Sequence, residues 1–277
     1  MHIPRLFFFN ILLILMLLCP ISIVSARVPE RIISLAPNIT EILFALEIGD
    51  KIVGVTSFCD YPDEAKRKTK VGGMSNPSLE AVVSLRPDIV VMTTDGNPKE
   101  FEERLHSLGV RTYVFRSRKL SELPDGIRRM GEALGAKQKA DALATKIEST
   151  INGFAITHRP SLPKRVLFII WPEPLIVAGP GTEIDDAITL LGGRNIAYKA
   201  GTSYPRYSVE EIIRQSPDII FIGRGHKDVK EMSEGLLKKI ASVPAVASDN
   251  VFFLSDSLYR LGPRVVSGIR EMSSHLK

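Results

Sequence analysis

Apolar residues recur every three or four positions between residues 137 and 158, with mostly polar or charged residues between them. The residues of this stripe are Ala140, Leu143, Ala144, Ile147, Ile151 and Phe154. Their spacing places them on one face of an α-helix and leaves the opposite face to solvent. About 22 residues at 1.5 Å each span roughly 33 Å, which is about the width of a small domain. By itself, the stripe is more typical of an ordinary surface helix packed on one core than of a connector between two domains.

The sequence on the two sides of this helix repeats itself. Residues 78–91 read SLEAVVSLRPDIVV, and residues 208–221 read SVEEIIRQSPDIIF, with serine, glutamate and Pro-Asp at the same spacing. Each copy predicts a helix followed by a buried strand, because Pro87 and Pro217 cannot continue a helix. A looser correspondence relates residues 40–52 to residues 182–196. We therefore predict two copies of one α/β unit, joined by the long helix.

Short apolar runs alternate with helical stripes in both halves of the chain. The predicted strands are residues 31–35, 52–55, 89–92, 110–115, 165–170, 219–222 and 251–254. Strands that alternate with helices favour a parallel sheet in each half. We predict an α/β fold with a first lobe at residues 27–136, a connecting helix at residues 137–160 and a second lobe at residues 161–277.

The first 26 residues have the composition of an export signal. Arg5 gives a positive start, residues 6–19 are apolar except for Asn10, and residues 24–26 end in small side chains suited to signal peptidase. The apolar run is shorter than the roughly 20 residues that span a membrane. We predict a signal peptide at residues 1–26 and a periplasmic protein, with an uncleaved membrane anchor as the competing interpretation.

Composition narrows the classes of function. Removing 26 residues from 277 leaves 251 and lowers the formal charge from +5 to +4, because only Arg5 is lost. That length suits two lobes of modest size. Cys59 is the one cysteine left, so the mature chain cannot form an internal disulfide. Its basic residues are scattered rather than interleaved with aromatic residues in a stripe, which argues against nucleic acid as a partner.

Aromatic and polar residues follow several of the predicted strands. They are Phe58, Tyr61, Met74, Trp171, Tyr204, Asp256 and Arg260. Ligands of open α/β sheets bind outside the carboxyl ends of the strands, and an aromatic inventory with a few polar groups is typical of a small-molecule cleft. The alternative is ordinary packing, with Trp171 in a core and Tyr61 against a capped turn. We predict a ligand cleft between the lobes.

The sequence gives little support to an enzyme. Four histidines follow residue 26, namely His106, His158, His226 and His275. None lies three or four residues from another, so no metal site is predicted. Cys59 has no histidine nearby in sequence, which favours a structural cysteine over a nucleophile. Assembly of a catalytic site from residues distant in sequence stays open.

Several motifs carry a resemblance to a known family. They are RIISLAPNITE at residues 31–41, DYP at 60–62, SLE at 78–80, RPD at 86–88, SD at 255–256 and PR at 263–264. They resemble the periplasmic substrate-binding proteins of ABC importers, in particular the cobalamin-binding branch of the cobalamin and ferric-siderophore family. The resemblance covers nearly the whole mature chain. It implies two Rossmann-like lobes on one long helix, which capture a corrinoid such as cobalamin (vitamin B12) and deliver it to a membrane permease and its ATPase.

The resemblance also implies roles for two glutamates. Glu80 and Glu210 lie at equivalent positions of the internal repeat and resemble the pair with which the family docks on permease arginines. Each also has an ordinary explanation, because a carboxylate in the first turn of a helix is stabilised by the helix dipole.

Ligand contacts are implied at or near Tyr61, Tyr204, Asp256 and Arg260. Two positions depart from the cobalamin binders, which have tryptophan where this chain has Met74 and Tyr204. A ferric siderophore or haem therefore stays open as the ligand, although no excess of arginine lines the cleft loops, which argues against an anionic catecholate siderophore. We predict a monomeric binding protein without a cofactor, with a cleft enzyme or a ligand sensor as alternatives.

Overall fold

A computed structural model describes residues 28–157, 162–225 and 228–276 of the protein. The predicted signal peptide at residues 1–26 and the predicted end of the connecting helix at residue 160 lie outside these ranges. The α-helices are Pro37–Ala45 (α1), Asp63–Lys66 (α2), Leu79–Ser84 (α3), Lys99–Ser107 (α4), Leu123–Ala133 (α5), Lys137–Thr157 (α6), Glu183–Leu190 (α7), Val209–Gln215 (α8), Val229–Lys239 (α9), Pro244–Ala247 (α10) and Val265–Ser273 (α11). The strands are Ile32–Ser34 (β1), Ile52–Val55 (β2), Ile89–Thr93 (β3), Thr112–Phe115 (β4), Arg165–Pro172 (β5), Leu175–Val177 (β6), Arg194–Asn195 (β7), Ile219–Gly223 (β8) and Val251–Leu254 (β9).

The strands form two sheets, one before α6 and one after it. The first has the order β2-β1-β3-β4, and all of its strands are parallel. The second has the order β6-β5-β8-β9, with β7 also paired to β5. It departs from the expected parallel arrangement at β6, which runs antiparallel to β5. Only two residues separate these strands, and so short a connection can join antiparallel strands but not parallel ones.

The internal repeat is visible in matching contacts of the two sheets. Asp88 accepts a hydrogen bond from the backbone N–H of Arg31 at 2.9 Å, and Asp218 accepts one from that of Arg165 at 2.8 Å. In both copies the residue before the proline has a positive φ, 45° at Arg86 and 49° at Ser216. The same Pro-Asp pair therefore fixes the start of β1 beside β3 and of β5 beside β8.

Helix α6 packs between the two sheets. It runs for 21 residues, about 31 Å, from Lys137 to Thr157. A single apolar core passes through it, from Val91 of the first sheet through Ala144 and Ile147 to Phe168 of the second sheet. Shared burial of this kind resists separation of the lobes, because the helix cannot move without exposing apolar surface of both. The division of the chain at residues 136 and 161 remains a prediction.

Helices α5 and α6 approach each other closely at a glycine. A Cβ atom built on Gly131 would lie 2.1 Å from the Cβ of Ala140, far inside van der Waals contact. Any larger side chain at position 131 would therefore push α5 away from the connecting helix. Separate apolar clusters cover the outer face of each sheet. In the part of the chain that the structure describes, no helix combines the length and apolar character that crossing a membrane needs.

Candidate functional site

A cavity of about 210 Å³ lies where loops from both sheets meet. Its lining comes from the segments that follow β1, β2, β3, β4 and β9, together with α7. The lining residues are Pro37, Asn38, Met74, Thr93, Asp95, Ser117, Arg118, Glu183, Tyr259, Arg260 and Leu261. The cavity is therefore at the carboxyl ends of the strands, where the sequence predicted a cleft. Of the predicted ligand residues, Met74 and Arg260 line it directly.

An asparagine holds the wall on the first-sheet side. The Asn97 side-chain amide donates hydrogen bonds to the carbonyl oxygens of Leu35 and Met74, both at 2.9 Å. Its side-chain oxygen accepts from the backbone N–H of Thr93 at 2.8 Å. The Asn97 side chain thus connects three loops by hydrogen bonds. The bond to the Met74 carbonyl holds the backbone of a loop that contains two glycines.

Three of the four aromatic residues predicted for the cleft are exposed to solvent. The exposed fractions of Phe58, Tyr61 and Tyr204 are 58%, 48% and 38%. Phe58 lies 3.6 Å from the position that a Cβ on Gly73 would occupy, next to Met74. The Arg264 guanidinium stacks 4.2 Å from the centre of the Tyr61 ring. Exposed rings beside a cavity give a ligand flat apolar surface to stack on.

Tyr204 approaches the cavity from the second lobe. Its loop packs on Gly179, where a Cβ would lie 2.5 Å from the carbonyl oxygen of Thr202. Although the residue as a whole is 38% exposed, its hydroxyl group is desolvated, which raises the pKa of Tyr204, and the carboxyl groups of Glu183 and Asp95 raise it further. Both carboxyl groups line the cavity, so the Tyr204 hydroxyl is close enough to the cavity to be affected by the charges in its wall.

Asp256 and Arg260, two of the predicted ligand contacts, belong to an ion-pair cluster that joins the two lobes. Arg260 lies 2.7 Å from Asp256, 3.5 Å from Glu41, and in hydrogen-bond contact with Asp60. Arg264 lies 2.7 Å from Glu41 and 3.4 Å from Asp256. The cluster thus contains three carboxylates and two guanidinium groups that form ion pairs across the cleft. Arg260 lines the cavity, and its positive charge is neutralised by these carboxylates.

The pKa shifts in this cluster follow from burial and charge. Burial raises the pKa of Glu41, although Arg264 and Arg260 oppose the shift. At Asp60 burial also acts upward, but the hydrogen bond and charge of Arg260 outweigh it and lower the pKa. The more exposed carboxylate, Asp60, is therefore held ionised by Arg260. The buried carboxylate of Glu41 stays ionised only with the help of its arginine partners.

Glu183 is the second-lobe counterpart of Glu41, at the matching position of the looser repeat. Its exposed fraction is 5%, and it opens α7. Burial raises the pKa of Glu183 to about 8, with Asp95 and Asp186 acting in the same direction and Arg118 against it. A carboxyl group that is neutral near pH 7 therefore forms part of the cavity wall.

Tyr259 closes the floor of the cavity. Its hydroxyl oxygen is buried and has no hydrogen-bond partner among the described residues. The ring fits against two glycines, since Cβ atoms on Gly223 and Gly225 would lie 3.0 Å and 2.8 Å from its atoms. Side chains at those glycines would displace the ring, so the shape of the floor depends on both.

Trp171 is placed differently from the cleft residues. It pairs with Ile176 in the β5–β6 hairpin, and its indole N–H donates to the carbonyl of Glu173. It is not among the residues that line the cavity. Its role as a ligand platform stays a prediction without support from the cavity geometry.

Glu80 and Glu210 occupy matching surface positions. Each is the second residue of a short helix, and each helix is capped by a serine whose hydroxyl accepts a backbone N–H at 3.2 Å, Ser78 for α3 and Ser208 for α8. Both glutamates are exposed. Hydrogen bonds from its own backbone N–H and from Ser208 lower the pKa of Glu210.

Cys59 is buried in the first lobe. Its sulfur accepts a hydrogen bond from the Thr40 hydroxyl at 3.0 Å and lies 3.2 Å from that of Thr56. Burial raises the pKa of the Cys59 thiol, which disfavours the nucleophilic thiolate. Within residues 28–157, 162–225 and 228–276, no group of three or more His, Cys, Asp or Glu side chains is arranged to hold a metal ion.

A larger cavity of about 720 Å³ lies on the flank of the second lobe. Its basic residues are Arg194, Lys199, Arg206 and Arg214, the last paired with Glu211 at 2.6 Å. None of the predicted ligand residues lines it. We therefore take the smaller cavity between the lobes as the candidate site, because the strand ends and the exposed rings converge there.

Sequence reasoning did not assign most residues of the site and its ion-pair cluster, among them Glu41, Asp60, Asp95, Arg118, Glu183, Tyr259 and Arg264. The looser repeat held a signal for two of them, because Thr40-Glu41 aligns with Thr182-Glu183. The repeated Thr-Glu pair marks matching positions of the two lobes, although Glu41 is the fifth residue of α1 and Glu183 the first of α7. Asp95 and Arg118 lie in loops without a comparable pattern.

Comparison with known proteins agrees with this architecture. A vitamin B12-binding protein of Vibrio parahaemolyticus is 27% identical over 259 residues, which cover 92% of this chain and 93% of that protein. The crystal structure of the periplasmic vitamin B12-binding protein BtuF of Vibrio cholerae matches with a TM-score of 0.81 and 26% identity, covering 90% of this chain and 97% of that chain.

A haem-binding relative is equally similar in fold. The periplasmic heme-binding protein RhuT from Roseiflexus sp. RS-1, in apo form, matches with a TM-score of 0.81 and 30% identity over 89% of this chain and 97% of that chain. The family model described as periplasmic binding protein matches residues 32–258. That range contains both sheets, the connecting helix and most of the cleft residues. The chain belongs to the periplasmic binding protein family.

Proposed function

We propose that this protein is the solute-binding component of an ABC importer, and that it captures cobalamin or a related corrinoid between its lobes. The observation that carries the proposal is the pairing of exposed aromatic rings with a cavity at the strand ends, in a chain whose relatives named vitamin B12-binding protein align over nine-tenths of its length. Both the fold and the chemistry of the cleft favour binding over catalysis. The protein acts without a cofactor, and the corrinoid is its cargo.

The size of the cavity defines the mode of binding. Small-molecule pockets usually measure roughly 300–1,000 Å³, and this cavity is about 210 Å³. It therefore accepts one edge of a macrocycle, while the flat body of the ligand rests on Phe58, Tyr61 and Tyr204 at the mouth. Met74 contributes a flexible apolar contact in the first lobe.

Haem is the second candidate, because the heme-binding RhuT has the same fold as this chain. A tyrosine binds ferric haem iron as the phenolate, and burial together with Glu183 and Asp95 raises the pKa of Tyr204. The histidines of the described residues lie elsewhere: His106 contacts Thr112, and His275 stacks on Phe252. Coordination of a haem iron would then fall to Tyr61, which is exposed, or to Met74, which lines the cavity.

Delivery requires a surface that a membrane partner recognises. Glu80 and Glu210 provide one exposed carboxylate per lobe at matching positions. A permease of two similar subunits can contact both through arginines. We propose that these glutamates dock the loaded, monomeric protein on a permease in the inner membrane.

The proposal places the mature protein in the periplasm. Residues 1–26 carry the pattern of an export signal, and relatives of the chain include proteins described as periplasmic. In that compartment the protein would meet corrinoids that have crossed the outer membrane.

Calorimetric titration of residues 27–277 with cyanocobalamin tests the proposal. A one-to-one site of micromolar affinity or better, about −8 kcal/mol, is the expected result. Haem and a ferric siderophore serve as comparison ligands in the same buffer. Binding of an iron complex with no response to cyanocobalamin would reassign the ligand class, and no response to any of the three would overturn the transport role.

A further inference from the structure

We propose that Glu183 contacts the bound ligand as a hydrogen-bond donor, and that it selects ligands whose inserted edge carries a neutral acceptor such as an amide carbonyl. The inference rests on the proposed function, because it assigns part of the ligand's chemistry within the same cleft. It concerns a residue that the sequence did not single out and that lies in the second lobe.

The placement of Glu183 is the first argument. The residue lines the cavity and its exposed fraction is only 5%. Among the described residues, no Lys, Arg or His nitrogen lies within 4.0 Å of its carboxyl group, whereas its counterpart Glu41 is 2.7 Å from Arg264. Buried carboxyl groups are normally paired or hydrogen-bonded. Glu183 is the one of this repeated pair that has no ion-pair partner and faces the space left for a ligand.

The charges around Glu183 determine its protonation. Asp95 faces it from the loop after β3, Arg118 from the loop after β4, and Asp186 from its own helix. The other titratable or charged groups near Glu183 come from the second lobe, namely Tyr204, Tyr259 and Arg260. Burial and the two aspartates outweigh a hydrogen bond from the Glu183 backbone N–H and the charge of Arg118, so the pKa of Glu183 rises to about 8 and the group is mostly protonated at pH 7. A protonated carboxyl group has an O–H to donate.

This donor fits the periphery of a corrinoid. Corrinoids carry amide side chains around the macrocycle, and an amide carbonyl is a strong neutral acceptor. A cavity of about 210 Å³ has room for such a side chain but not for the ring. One amide would therefore enter between Glu183 and Tyr259, whose buried hydroxyl has no partner among the described residues.

The test compares wild type with Glu183→Gln and Glu183→Leu, titrated with cyanocobalamin from pH 6 to pH 9.5. Wild-type affinity should be constant to about pH 7.5 and then fall, because ionisation removes the donor. Glu183→Gln retains an N–H donor and does not titrate, so its affinity should stay near the wild-type value at every pH. Glu183→Leu should bind about tenfold more weakly at pH 7, the effect of one hydrogen bond, with no fall at high pH.

Glu231→Gln serves as the control, because it changes an exposed glutamate outside the cavity and should reproduce the wild-type pH profile. Thermal unfolding of each variant separates loss of binding from loss of folding. Equal and pH-independent affinities of wild type, Glu183→Gln and Glu183→Leu would overturn this inference and leave the proposed function intact. No binding by wild type at any pH would overturn both.

Discussion

Glu41 and Arg264 form a two-point ion pair between helix α1 and the segment that leads into α11. The Arg264 Nη2 atom lies 2.7 Å from one carboxylate oxygen and its Nε atom lies 3.0 Å from the other. The Glu41 side chain is 1% exposed, and that of Arg264 is 23% exposed. The residues are 223 positions apart, so this contact forms only when both lobes are folded and docked on each other.

The first prediction concerns this contact. Arg264→Ala leaves the Glu41 carboxylate buried without its nearest cation, and breaking a buried pair in this way costs about 3–5 kcal/mol. Because Arg260 remains 3.5 Å from Glu41, we expect a loss near the lower limit, about 3 kcal/mol. Urea unfolding of both proteins measures it. Arg214→Ala, which breaks the exposed pair with Glu211, should change the free energy by less than about 1 kcal/mol; equal effects of the two substitutions would contradict the prediction.

The second prediction concerns pH and Glu183. Its pKa is about 8 in the folded protein against a usual 4.5, so between these values the folded state binds more protons than the unfolded state. Stability must then fall as pH rises through this window, by up to about 1.4 kcal/mol per pH unit. Glu183→Gln removes the titration.

Urea unfolding at pH 5, 6.5 and 8 checks this expectation. The stability of Glu183→Gln relative to wild type should increase at each step, while Glu231→Gln, at an exposed position, should show no such trend. A constant difference between Glu183→Gln and wild type across the three pH values would show that Glu183 titrates normally.

The alternation of strands and helices, the long connector and the repeat were accessible from the sequence because each depends on local periodicity. The apolar stripe that includes Ala144 and Ile147 predicts one buried face of the helix, and this prediction does not require knowing which residues pack against that face. The Pro-Asp pairs were equally informative, since Asp88 and Asp218 act on strands that neighbour them in the sheet.

The site was only partly predictable because its contacts join residues far apart in sequence. Asp256 and Arg260 were correctly placed at a strand end, but their pairing with Asp60 and Glu41 depends on how the lobes face each other. Trp171 also lies near the end of a strand, but there the chain turns back as a hairpin and Trp171 pairs with Ile176 of β6. A strand end can therefore lead either into a ligand-binding loop or into a neighbouring strand. Sequence periodicity does not distinguish these two outcomes.

The third prediction concerns the aromatic platform. Tyr204→Ala removes an exposed ring beside the cavity, and we expect cyanocobalamin to bind about tenfold more weakly, as for the loss of one good stacking contact. Tyr198→Ala is the matched control, because Tyr198 is similarly exposed, at 42%, but lines the basic cavity on the flank. Calorimetry should show wild-type affinity for the control. An equal loss in both variants would indicate a general effect on the second lobe rather than a ligand contact.

The fourth prediction concerns motion. A core that runs through α6 and an ion-pair cluster that spans the cleft both restrict movement of one lobe relative to the other. We expect the radius of gyration to change by less than about 1 Å when ligand binds. Small-angle X-ray scattering of the protein with and without cyanocobalamin measures the change. A decrease of several ångströms would mean that the lobes close by a hinge, which a continuous helix and a shared core should prevent.

The fifth prediction separates docking from ligand binding. Glu80 and Glu210 are exposed and do not line the cleft cavity, so Glu80→Ala with Glu210→Ala should leave cyanocobalamin affinity unchanged and abolish uptake in cells that depend on this protein. The double variant Glu100→Ala with Glu231→Ala is the matched control. It also removes one exposed glutamate from the first turn of a helix in each half of the chain, and it should transport normally. Normal uptake by the first variant would show that the permease recognises another surface, whereas a loss of transport in both would point to net charge rather than to two specific carboxylates.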